Sequence, residues 1–170
     1  SNSAAILGLP EAYFNLVRPG IMIYGCYPDP SLADKAKLYP VVSLKARISH
    51  VKQVEPGTAI GYGTTYTVSQ PTRIATIPIG YADGYPRALS NKSSVLIKGK
   101  RYPIAGRICM DQSMIDLKGE QGIQTGDLVT LIGTDGDDAI TLDEVAGLAG
   151  TIAHEILTGI GQRVPRIYVE

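Results

Sequence analysis

VVSLKARISHVKQV, residues 41–54, sets Val42, Leu44, Ala46 and Ile48 on one side of an extended chain and Ser43, Lys45, Arg47 and Ser49 on the other. A period of two over this length is the signature of a half-buried β-strand. Strand signals continue beyond it. EPGTAIGYG (55–63) opens on a Pro-Gly turn, and RIATIPIGYADGYPR (73–87) reads as a strand ending in a loop. SSVLIKGKRYPIAGRI (93–108) reads as a hairpin turning at Gly99, and DLVTLIG (127–133) as a strand closed by the turn-forming GTDGDD. Several short strands at this spacing predict a small barrel or sandwich. RVPRIYVE (163–170) fits a last strand.

The helical signals lie at the two ends. Thr141 with Glu144 three residues on has the capping-box form and opens TLDEVAGLAG (141–150). Gly147 and Gly150 weaken that helix, so a second short one, TIAHEIL, is expected from Thr151. Near the start, residues 4–17 predict a short helix with Pro10 in its first turn. VRPGIMIYG (17–25) is apolar without alternation, as in a strand buried on both faces, and a proline-rich turn segment, 26–40, follows. A buried strand there would have no parallel partners in this chain. Residues 1–30 therefore read as the tail of a larger α/β domain, and 31–170 as a β-domain.

Composition narrows the function classes. The chain has 170 residues, 44% of them apolar, and sixteen basic residues balance sixteen acidic ones. That balance gives no electrostatic footprint for nucleic acid or an anionic membrane. Two cysteines and two histidines, well separated, make neither a disulfide framework nor a metal-ligand pattern. No signal peptide or membrane-spanning run is present, so a cytoplasmic setting is expected. Ten tyrosines stand against one phenylalanine and no tryptophan, a bias toward aromatic groups whose hydroxyls are used.

AIGYGTTYT (59–67) holds Tyr62 between two glycines. Strand glycines most often mark a bulge or tight bend; they also permit close approach by a ligand. Four further positions invite a polar-site reading against a bland one. Arg18 precedes the apolar run. Tyr81, Asp83 and Arg87 stand on a glycine-hinged loop. Arg107, Met110 and Asp111 cluster in GRICMDQSM (106–114), where Cys109 is a poor nucleophile candidate without a neighbouring histidine. His154 lies on the late helix.

Taken in order, NSAA, VRPGIMIYG, YGTTY, PIGYADGYPR, AGRICMDQ, GDLVTLIG and RVPRIYV resemble the alanine racemases over nearly all of residues 2–169. The resemblance implies the C-terminal portion of such an enzyme. This is a mainly β fold, a small barrel-like C-terminal domain with one or two short helices, preceded by the last helix and strand of a (β/α)8 barrel that binds pyridoxal 5'-phosphate. By resemblance, Tyr62 is the base that removes the α-proton of L-alanine, acting in the active site of the other subunit of a head-to-tail homodimer. Ser3, Gly20 and Ile21 match positions that bind the cofactor phosphate, and Arg18 matches the arginine facing the pyridine nitrogen. Met110 and Tyr81 match substrate-binding positions. Arg87, Arg107 and Asp111, together with Tyr81, line the access corridor. His154 departs from the pattern, standing where a tyrosine near the phosphate is expected, and Gln162 is a lesser departure. L- and D-alanine are the implied partners, for supply of D-alanine to the bacterial cell wall, and no metal is implied. The Schiff-base lysine has no candidate here, so the chain alone is expected to be inactive. Rival readings are a racemase for serine or another small amino acid, a related decarboxylase, and a non-enzymatic β-barrel binding module.

A phenol has an ordinary pKa of about 10, whereas a general base works best near the operating pH. The resemblance therefore demands positive charge or hydrogen-bond donors beside Tyr62.

Overall fold

In the computed structural model, which describes residues 1–169, the chain forms two compact units, Ser1–Val42 and a second that begins at Ser43. The second is β-rich, as the alternation predicts. Its strands are β1 (Leu44–Arg47), β2 (His50–Val54), β3 (Thr72–Ile77), β4 (Ser94–Ile97), β5 (Lys100–Pro103), β6 (Ser113–Asp116), β7 (Leu128–Asp135) and β8 (Asp138–Ile140). One sheet runs β1-β7-β4-β5 with β8 also paired to β7; the other runs β2-β3-β6. All these pairings are antiparallel.

Two corners join the sheets into a ring. At the first, Ile48 bonds toward β7, donating to Asp127 O and accepting from Gly126 N, whereas Ser49 N donates to Thr76 O of β3. β1 and β2 are thus one chain segment that changes sheets, and the alternation read from the sequence stops there. Leu44 and Ile48 are buried and Lys45, Arg47 and Ser49 exposed, as expected. At the second corner, Ile104 N donates to Ser93 O and Ala105 N to Met114 O, and Ile104 bridges Ile115. Strands that switch sheets at bends are how orthogonal barrels close.

The local chemistry follows the sequence closely here. Lys98 (φ 51°) and Gly99 (φ 75°) form the two-residue β4–β5 turn, both in the left-handed region that a type I′ hairpin requires. Thr141 Oγ1 accepts from Glu144 N at 3.0 Å and caps α2 (Leu142–Ala149). A second helix, α3 (Ala153–Gly159), follows two residues later than the sequence suggests. Ile77, Leu96, Ile97, Ile115, Leu131 and Val145 are among the side chains filling the interior.

Three expectations are corrected. The early helix is only Ser3–Gly8, α1, capped by Asn2, whose Oδ1 accepts from Ala5 N. It stops because Leu9, preceding Pro10, is driven out of the helical region (φ −143°, ψ 73°), and Pro10–Ala12 is a separate 3-10 turn. VRPGIMIYG is not a strand. Residues 17–20 are irregular and Ile21–Tyr24 is a 3-10 turn closed by Gly25 at φ 82°. A strand needs a hydrogen-bonding neighbour, and among the described residues of 1–42 there is none. Nor do residues 163–169 form a strand; Glu170, the last residue of that expected element, lies outside the described residues. Pro165 removes a ladder donor, and the Arg166 guanidinium donates back to Ile160 O, Gly161 O and Val164 O, folding the segment onto the end of α3. Among the described residues, no helix is long and apolar enough to cross a membrane.

Candidate functional site

Three segments outside the strands, 59–67, 80–87 and 106–112, meet at one side of the barrel. The first, residues 59–67, is pinned at its base. Ala59 bridges Thr67, Ile60 N donates to Tyr66 O, and Ile60 is buried with Val54, Val68, Ile74 and Ala105. The Tyr66 hydroxyl donates to Asp116 Oδ2 at 2.6 Å. The tip of this segment projects Tyr62, which is 74% exposed.

Its flanking glycines have a backbone reason. Gly61 and Gly63 both sit at φ 73°, in the left-handed region that side chains disfavour. A Cβ on Gly63 would lie 3.0 Å from the Arg107 guanidinium carbon, and one on Gly61 3.2 Å from Arg107 N. The bend reading of these glycines holds, and they also admit a close neighbour, which is Arg107 of this same chain. The Arg107 guanidinium thus lies against the Gly63 backbone, one residue along from Tyr62, and both side chains line one groove.

The second segment is the loop after β3. Tyr81 N donates to Cys109 O and Ala82 N to Met110 O, and a Cβ on Gly80 would collide with those same two carbonyls. Absence of a side chain at position 80 lets the 80–87 loop lie flat on residues 109–110. Asp83, buried, accepts from Gly80 N through Oδ2 at 2.9 Å and meets Arg163 through Oδ1 at 3.1 Å. Arg163 also donates to Asp111 Oδ1 at 2.6 Å, so one guanidinium ties the loop to Asp111. The Asp111 hydrogen bond first, and the Asp83 charge second, push the Arg163 guanidinium above its ordinary range.

The result is a groove of about 510 Å³ lined by Tyr62, Tyr81, Arg87, Arg107, Met110 and Asp111, with Ile108, Cys109 and Gln112 between them. All six residues of the second unit expected to act on substrate or to line its access path meet there. Cys109, expected to be packing, lines the groove as well, its Sγ facing Arg107 O at 3.5 Å. Arg163 was not anticipated: its partners are 52 residues away in sequence for Asp111, and nothing in the RVPR spacing announces them. His154 stands on the exposed side of α3 and its carbonyl accepts from Thr158 Oγ1.

In the first unit, Ser3 is buried and its hydroxyl accepts from Gly20 N at 2.8 Å, just where the Ile21–Tyr24 turn begins. Ser3, Gly20 and buried Ile21 are thus gathered at one point, with the Ser3 hydroxyl left its own hydrogen to donate. The Gly20 amide is engaged by Ser3. Arg18 is exposed and its backbone N–H donates to Ser1 O. Among the described residues, no group of three or more His, Cys, Asp or Glu is placed to hold a metal ion.

The family model of the alanine racemase C-terminal domain matches residues 41–168, which hold the β-ring and its groove, and that of the alanine racemase N-terminal domain matches residues 1–28. The chain belongs to the alanine racemase family. It is 53% identical over 170 residues to an alanine racemase of Carboxydothermus hydrogenoformans, covering 99% of this chain and 46% of that one. Identity to an alanine racemase of Halothermothrix orenii is 50% over 168 residues, covering 99% and 44%. Among solved structures, the alanine racemase of Bacillus anthracis with bound L-Ala-P superposes with a TM-score of 0.95 at 46% identity, over 100% of this chain and 44% of that one. The chain thus spans less than half the length of the relatives it matches.

Proposed function

We propose that this chain is the C-terminal part of a pyridoxal-phosphate-dependent alanine racemase that interconverts L- and D-alanine, with Tyr62 as the base on the L face. The observation that carries the reading is the groove itself. It unites an exposed phenol, two guanidinium groups, a second tyrosine, a carboxylate and Met110, and these are the residues that the family motifs single out. Within the reading, residues 1–30 are the end of the cofactor-binding barrel and 31–170 the β-domain.

Racemisation at one carbon needs proton transfer on both faces, because a single base tends to return the proton it took. Tyr62 takes the α-proton of L-alanine at its phenol oxygen. A lysine outside this chain serves the opposite face. Projection of Tyr62 from the tip of a pinned loop suits delivery into the active site of a second copy, as in a head-to-tail homodimer. Arg107, in the same groove, would supply positive charge to the site, and Met110 would meet the substrate carboxylate. Arg87, Asp111 and Tyr81 line the way in.

Pyridoxal phosphate, when bound, supplies the electron sink for the carbanion left at the α-carbon. Ser3, Gly20 and Ile21 would hold its phosphate. A hydroxyl donor gathered with two main-chain groups at the start of a turn suits an anion, with Ile21 the amide donor since that of Gly20 is engaged by Ser3. Arg18 would face the pyridine nitrogen. The product would supply D-alanine for the cell wall from the cytoplasm. A free-standing binding module is the weaker reading, because the family match continues through residues 1–28.

The test uses the full-length protein containing this chain, with and without Tyr62→Phe, and follows α-hydrogen exchange of L- and D-alanine separately in deuterated water. Loss of L-alanine exchange by about 10²–10⁴-fold, the usual range for a positioned base, with D-alanine exchange retained, supports the assignment. Exchange of both isomers at the parent rate makes Tyr62 a surface tyrosine.

A further inference from the structure

Asn91 sits in the turn after Arg87–Leu89, between the two backbone segments that form the heart of the groove. It carries φ 59°, a left-handed conformation that asparagine tolerates better than most residues. Its side-chain amide reaches both ways. Nδ2 donates to Thr65 O at 3.1 Å and to Thr65 Oγ1 at 3.2 Å, on the segment that bears Tyr62. Oδ1 accepts from Gly106 N at 2.6 Å, the residue before Arg107. The orientation is unambiguous: Thr65 O can only accept and Gly106 N–H can only donate, so a flipped amide would lose both arms.

The turn beneath Asn91 is itself fixed. Leu89 is fully buried, Ser90 Oγ donates to Arg87 O, and Ile108 N donates to Ser90 Oγ at 3.0 Å. The Tyr62 tip, by contrast, has its pins at residues 60 and 66. Between them the backbone takes positive φ at Gly61, Gly63 and Thr64. A conformation of that kind persists only where its surroundings over-determine it. Asn91 is a polar side chain that joins the downstream end of that tip to the irregular segment carrying Arg107.

We infer that Asn91 is a positioning residue for Tyr62. By tying Thr65 to Gly106 it fixes where the phenol stands relative to the Arg107 guanidinium. The inference rests on the reading of Tyr62 as the L-face base. It predicts a face-selective effect, because the D-face proton does not pass through Tyr62. A displacement of about 1 Å at a reacting group is worth up to roughly 10²-fold in rate.

Two variants of the full-length holoenzyme separate this role from a merely structural one. Asn91→Gly removes both arms while relieving the positive φ. Asn91→Asp keeps the shape and the Gly106 bond but sets a carboxylate against the Thr65 carbonyl. Both are expected to slow α-hydrogen exchange of L-alanine by about 10- to 100-fold. D-alanine exchange and KM should stay within about twofold of the parent. Amide deuterium uptake should rise in residues 59–67 for both variants, and in 104–108 for Asn91→Gly alone. Equal slowing on both faces, or parent rates in both variants, overturns the inference while leaving the Tyr62 assignment standing if Tyr62→Phe shows its L-face loss. If Tyr62→Phe itself exchanges both isomers like the parent, the base assignment fails and the positioning role falls with it.

Discussion

Gly63 concentrates two demands in one position. Its φ of 73° disfavours a side chain, and the space a Cβ would enter is bounded by the Arg107 guanidinium at 3.0 Å. Gly63→Ala should therefore destabilise by about 1–3 kcal/mol, the usual cost of a strained non-glycine residue, read as a lower Tm or a lower denaturant midpoint at constant m-value. Arg107→Ala in the Gly63→Ala background should return less than the full loss, because the backbone strain outlives the clash. Six groove residues were legible in the sequence because each sits in a short motif that can be matched as a string. Asn91 and Arg163 were not, for a physical reason. Each acts through partners at least 15 residues away, and a single sequence carries no record of which side chains the corners of a barrel bring together.

At the scale of elements, β1 to β5 and β7 were legible, β6 and β8 were not read as strands, and the strands expected at 17–25 and 163–169 do not form. Alternation reports one buried face, and β1 shows it until the corner at Ile48, where the chain passes to the other sheet. Apolar content without alternation reports only burial of some kind. In 17–25 it belongs to a 3-10 turn, and in 163–169 the chain is irregular, with Ile167, Tyr168 and Val169 exposed. The join of loop to sheet below Tyr62 depends on Asp116. Burial pushes its carboxyl up, but hydrogen bonds from Tyr66, Thr72 and Lys118 outweigh that and hold it below its ordinary value. The native state then binds this proton more weakly than the unfolded chain does. Stability from this group is fully present above the unfolded value of about 3.9 and is lost as pH falls through the lower native one. Asp116→Asn should thus flatten the acid limb of a Tm-versus-pH curve below about pH 4 and cost about 1–3 kcal/mol at pH 7, through the charged hydrogen bonds removed. Burial likewise pushes the Tyr85 hydroxyl up to about 12, so Tyr85 should stay protonated in a spectrophotometric titration until the fold opens in alkali.

Across the whole β-unit, one side chain joins elements that are not neighbours in the ring order. Arg101 on β5 donates to both carboxylate oxygens of Asp138 and of Glu144, and to Ala139 O, linking the hairpin to β8 and the start of α2. Shared networks of this kind outlast isolated surface pairs, though salt weakens them. Arg101→Lys keeps the charge and loses the fork. It should lower Tm by roughly 2–4 °C at low salt, the shift expected of about 1 kcal/mol in a chain of this size, and by less at 1 M salt, as followed by calorimetry.

The corner at Ile48 carries a consequence for the order of events during synthesis. β1 pairs with β7, and the Arg47 guanidinium reaches Gly126, 79 residues further along. Contacts that distant form late, because the intervening chain must be ordered before the pairing repays it. Sheet β2-β3-β6 needs nothing beyond Asp116, so the bed of the Tyr62 loop can assemble while β7 is still inside the ribosome. On that order the nascent chain would carry its phenol-bearing loop on an open half-barrel, with β1 unmatched until residues 128–132 emerge to pair with it.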